Sequence, residues 1–62
     1  MTVKVVNRGN PEIYTIYKNV SAVRDVFNDF GVFCHQLQIG EDTATYPACE
    51  WKFYNLEFVE MF

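Results

Sequence analysis

Sixty-two residues, half of them hydrophobic and 18% aromatic, make a single domain, 1–62, that is too apolar to stay disordered and near the size at which stability is marginal. Five basic against eight acidic residues, a net charge of −3, argue against nonspecific nucleic-acid binding, whose affinity comes from neutralising phosphates. The absence of a signal peptide or long apolar span leads to the expectation of a cytoplasmic protein with reduced cysteines, although Cys34 and Cys49 fit one bridge or two free thiols equally well.

The chain opens on TVKVVN, residues 2–7, a β-branched run that alternates Val3 and Val5 on one face with Lys4 on the other. Arg8-Gly9-Asn10-Pro11 supplies turn chemistry, and residues 12–20, rich in Ile, Tyr and Thr, complete an expected β-hairpin. In the second strand Tyr14 and Ile16 lie on one face, and Ile13, Thr15 and Tyr17 on the other. Both faces are apolar, so one is expected to be covered by another element or protomer.

Residues 21–33 support two readings. As a helix at 22–30, Ser21 is the N-cap, Val23, Phe27 and Phe30 form the buried stripe, and Gly31 sits just past the end. As a strand, 22–28 leads through a turn near Asn28-Asp29 or Phe30-Gly31. A short helix carrying two valines and two phenylalanines has poor propensity. From 32 to 39 the alternation is clear, with Phe33, His35, Leu37 and Ile39 on one face and Cys34, Gln36 and Gln38 on the other. Gly40-Glu41-Asp42 turns the chain into TATYP, which Pro47 ends or leaves at an edge. The aromatic closing run, without an N-cap, reads as the rest of a last strand, 43–62, with Tyr54, Leu56 and Phe58 inward and Phe53, Val59 and Met61 outward.

A Val-rich strand, a turn, a Tyr-rich strand closing on Asn19-Val20, a Phe-containing middle strand, then Tyr46-Pro47 and an aromatic last strand together resemble small uncharacterised all-β proteins of Gram-positive bacteria and their phages. The resemblance implies a compact antiparallel meander and favours strand over helix for residues 21–30. It supplies no catalytic residues.

Candidate chemistry is sparse. Cys34 and His35, as strand neighbours, point to opposite faces, and one histidine without a paired-cysteine motif falls short of a zinc ligand set. Asp25, Asp29, Glu41, Asp42 and Glu50 read as solvated charges. The three glycines are isolated and each fits a turn.

The sequence therefore predicts an all-β domain, a five-stranded antiparallel meander or small barrel with strands near 2–7, 12–20, 22–28, 32–39 and 43–62, the last broken at Pro47; the alternative is an α+β arrangement, ββαββ, with the helix at 22–30. The expected function is a noncatalytic protein-interaction module of phage or mobile-element origin, with no cofactor, metal or small-molecule substrate. Its expected partner is a protein or a second copy in a homodimer, met through Phe53, Val59, Met61, Trp51 and Tyr17. Two other functions compete with it: an acidic inhibitor that mimics nucleic acid with its carboxylates on one face, and a single-stranded nucleic-acid binder that stacks bases on Tyr14, Tyr17, Tyr46, Trp51, Phe53 and Tyr54 with its basic groups clustered, for which Lys4 and Lys18 could form a local stripe.

Overall fold

A computed structural model describes residues 1–57. The end of the last expected strand, 58–62, lies outside the described residues, and with it Val59 and Met61 of the expected interface. Six strands are formed among the described residues: β1 Val3–Asn7, β2 Tyr14–Tyr17, β3 Ala22–Phe27, β4 Phe33–Ile39, β5 Asp42–Pro47 and β6 Trp51–Asn55. All pairings are antiparallel, and they make two three-stranded sheets, ordered β2-β1-β6 and β3-β4-β5.

The all-β expectation holds, whereas the continuous five-stranded meander, its closure into a barrel and the helix at 22–30 do not. The departure has a local cause at Pro47. Proline ends β5, the Glu50 amide bonds back to the Pro47 carbonyl at 3.2 Å, and this turn reverses the chain. The break expected at Pro47 is present, but it is a full reversal, and Trp51–Asn55 leaves β5 to pair with β1 in the other sheet. The stretch expected as an alternative helix is β3 and its turn, since its β-branched residues find a complete partner in β4, from Ala22↔Gln38 to Phe27↔Phe33.

Turn chemistry fixes both hairpins of the second sheet. The Asn28 side-chain oxygen accepts from the amides of Phe30 and Val32 at 2.8 and 2.9 Å, and Gly31 takes a φ of 77°, a left-handed conformation that glycine adopts without a Cβ penalty. Gly40, at a φ of 60°, opens the two-residue loop between Ile39 and Asp42, as a type II′ turn requires. The passage from one sheet to the other falls at Asn19-Val20. Asn19 takes a φ of 60°, which asparagine tolerates, and Val20 then sinks into the core. The Val20 amide bonds the Met1 carbonyl while the next amide, Ser21, bonds Gln38 in the second sheet.

Val3, Val5, Val20 and Leu37 form the buried cluster, with Tyr17, Ile39, Ala44, Tyr46, Trp51 and Phe53 packed around it. Alternation explains this set. Val3 and Val5 face inward from β1, the register Val5↔Phe53 puts Phe53 on the same side, and Leu37↔Ala44 builds the opposing floor. At the far end, the Arg8 amide bonds the Glu50 carbonyl and the Arg8 Nε donates to the Ala48 carbonyl at 2.9 Å, tying the β1–β2 loop to the β5–β6 turn.

Candidate functional site

The inner faces of the two sheets overlap only in part. Every strand except β3 has a residue in or against the core cluster, so β3 and the turn after it project as a ledge. Alternation keeps Val23, Asp25 and Phe27 on the inward side, opposite Leu37, His35 and Phe33, but sheet cover is missing there. Phe27 is 71% exposed and Phe30, at the turn, 92%; Val23, Val32 and Phe33 are exposed beside them. Aromatic contacts run from the interior to this ledge: Tyr46 against Trp51 and Phe53, Phe53 against His35, His35 against Phe33, and Phe33 against Phe27 with centroids 5.4 Å apart.

Two polar side chains of the ledge face one another. His35 Nδ1 and the Asp25 carboxylate lie 2.7 Å apart. This pair could orient an imidazole for nucleophilic catalysis, but the neighbouring thiol points away from it: Cys34 is buried on the opposite face, its Sγ against the Val32 carbonyl. Cys49 is exposed, and both cysteines are free. Among the described residues no group of three His, Cys, Asp or Glu side chains is placed to hold a metal.

The expected interface residues are placed otherwise than the sequence suggested. Phe53, expected outward, faces inward with Trp51 and Tyr17 against the core, while Tyr54, expected inward, is exposed on the outer face. The cause is the β1–β6 register, since a one-residue offset exchanges every side chain between faces. Tyr17 is also engaged, its hydroxyl hydrogen-bonded to that of Tyr46. Burial pushes the Tyr46 phenol up to about 12, with the Tyr17 hydrogen bond and the charge Tyr17 itself would carry adding to the effect.

The expected carboxylate set is divided rather than gathered. Glu41 and Asp42 lie at the β4–β5 turn, and Asp29 and Glu50 lie at the turns on the other end of β4, the end at which Cys34 pairs with Pro47. A seven-residue strand separates the two groups, a length of about 20 Å.

A second surface could not be read from local sequence. On the outer face of the first sheet, Ile16, Lys4 and Tyr54 form one cross-strand row and Tyr14, Val6 and Lys52 the next. The Lys4 ammonium lies 4.4 Å from the centre of the Tyr14 ring, and that of Lys52 lies 5.0 Å from the centre of Tyr54. Shallow grooves of about 340 and 200 Å³ open here and share Val6, Pro11 and Tyr54. The sequence offered Lys4 outward and Tyr14 and Tyr54 among the candidate stacking rings, but not Lys52 beside them, because Lys52 joins through a pairing that spans almost the whole chain.

No helix among the described residues is long and apolar enough to cross a membrane. Comparison with protein-family models, with curated proteins and with solved structures finds no match to this chain.

Proposed function

We propose that the protein is a small noncatalytic protein-binding module whose docking surface is the ledge formed by β3 and the β3–β4 turn, and whose partner is a second copy of the same chain. The observation that carries this reading is the exposure of Phe27 and Phe30, at 71% and 92%, in a domain with so small a buried cluster. Contiguous apolar surface of this kind is the mark of an interaction site, and aromatic rings are the side chains that anchor such sites.

The apolar make-up of the ledge favours a second copy over a charged partner. Asp25 and His35 face each other within the ledge, and Val23, Phe27, Phe30 and Phe33 make an apolar patch around them, with Asp29 at its turn end. A two-fold axis would bring this patch onto itself, so that association would not press the acidic turns of Glu41 and Asp42 together. Burying two such ledges would also add apolar area to a domain too small to bury much alone.

Size-exclusion chromatography with light scattering at about 100 μM tests the reading. A mass of twice 7.3 kDa is expected for the natural chain and 7.3 kDa for Phe27→Asp/Phe30→Asp, whose far-UV circular dichroism should keep the strand signature because both residues lie outside the core. A natural chain that stays monomeric at this concentration overturns the proposal. So does a dimer that the double substitution leaves intact.

A further inference from the structure

We infer that the outer face of the β2-β1-β6 sheet is a binding site for single-stranded nucleic acid, a site on the other side of the first sheet from the ledge and independent of dimer formation. Such sites combine cations that follow a phosphate backbone with exposed rings on which bases stack. Lys4 and Lys52 lie on neighbouring strands, two residue pairs apart in register and so on the same face, which sets diagonal neighbours about 7–8 Å apart. Tyr14 and Tyr54 stand beside them, half to two-fifths exposed. Arg8 extends the charge along the groove that holds Lys52 and Tyr54.

The net charge of −3 hides a segregation. Residues 1–20 carry Lys4, Arg8 and Lys18 against Glu12 alone, whereas 21–50 carry Arg24 against Asp25, Asp29, Glu41, Asp42 and Glu50. Strands β1, β2 and β6 contain no acidic residue. Of the described carboxylates near this sheet, Glu12 lies in the β1–β2 loop, Glu50 sits just before β6 in the turn, its carbonyl accepting from the Arg8 amide, and Glu57, past the end of β6, accepts from the Thr2 hydroxyl at 3.1 Å. Asp25, Asp29, Glu41 and Asp42 belong to the second sheet and its turns. The strands of the outer face thus contribute cations and no carboxylate.

Each ammonium now rests over a tyrosine ring. An incoming strand would exchange these contacts, with phosphates taking the lysines and bases the freed ring faces; an acidic peptide could use the first of these and not the second. The groove floor of Val6, Pro11 and Leu56 suits the edge of a base.

Fluorescence anisotropy with labelled dT20 and rU20, at about 50 mM salt and with the full chain, tests the site. Binding of either oligomer is expected, weakening as salt rises. Lys4→Gln/Lys52→Gln should flatten the slope of log affinity against log salt by about 1.4, from about 0.7 per phosphate contact on a single strand. Tyr14→Leu/Tyr54→Leu should lose at least about fivefold in affinity with the salt slope unchanged, and Phe27→Asp/Phe30→Asp should bind as the natural chain does. No anisotropy change at 50 mM salt overturns the inference. Equal binding of a labelled polyglutamate, or unchanged affinity in the tyrosine variant, overturns it as well, since charge alone would then account for the binding.

Discussion

The hydroxyls of Tyr17 and Tyr46 share a hydrogen bond between β2 and β5, so an edge strand of one sheet is joined to an edge strand of the other. The rings meet edge-on, with centroids 6.3 Å apart. Burial first, and the Tyr17 contact second, hold the Tyr46 phenol neutral up to about 12 instead of the usual 10. In the unfolded chain it loses its proton near 10. The stabilisation from the neutral phenol is therefore complete below pH 10 and is lost as pH rises through about 12. The melting temperature of the natural chain should fall more steeply between pH 10 and 12 than that of Tyr46→Phe, which has no phenol at that position to ionise. Parallel slopes for the two proteins in thermal melts would refute this.

Val23 and Leu37 are direct partners across β3 and β4, yet Leu37 is fully buried and Val23 is 42% exposed. The difference follows from the partial overlap of the sheets. Leu37→Ala should cost about 2–5 kcal/mol, the range for cutting a buried leucine to alanine, a large share of the ~5–15 kcal/mol that holds a domain folded. Val23→Ala should cost less than about 1 kcal/mol. Urea titration at low micromolar concentration gives both values, and equal losses would mean that β3 is covered in the folded monomer.

The turn glycines separate in the same way. Gly31 has open space around its Cα but a φ of 77°, whereas Gly9 has no such backbone constraint and would place a Cβ 3.4 Å from the Asn7 side-chain oxygen, an ordinary contact distance. Gly31→Ala is expected to destabilise by about 1–2 kcal/mol, the cost of a left-handed conformation for an L side chain, and Gly9→Ala to change stability by less than about 0.5 kcal/mol. Chemical denaturation of the two variants distinguishes them, and a neutral Gly31→Ala would place that residue outside the left-handed region.

Strand content and facing were legible wherever pairing was local. Val3 and Val5 inward, the alternation of Phe33 to Ile39, and the turns at Arg8-Gly9-Asn10-Pro11 and Gly40 all follow from period-two patterning and turn chemistry within a few residues. What local sequence could not supply was the partner of the last strand. Trp51 to Asn55 is apolar on both faces, so either face could have been buried. Its pairing with β1, some fifty residues away along the chain, decides that Phe53 goes in and Tyr54 out. The same long-range pairing assembles Lys4, Lys52 and Tyr54 on one surface, which is why the sequence suggested Lys18 as the partner of Lys4 instead. The ledge was hidden for a related reason: Phe27 and Phe30 have the composition of core, and only the offset between sheets exposes them.

Cys34 and Cys49 provide a direct readout of that architecture. Cys34 is 2% exposed, beneath the β3–β4–β5 pairing at Val26 and Pro47, while Cys49 is exposed in the turn that follows β5. Thiol reactivity requires access to the reagent, so the two should react in separate phases. With Ellman's reagent one equivalent is expected to react rapidly in native buffer, and Cys49→Ser should abolish that phase. The second equivalent should appear at a rate set by opening of β4 from its neighbours, and should become rapid in denaturant. Leu37→Ala, by weakening the strand that carries Cys34, should speed the slow phase and leave the fast one unchanged. Two rapid equivalents in native buffer would contradict the burial of Cys34, and none would indicate a bridge between the two sulfurs.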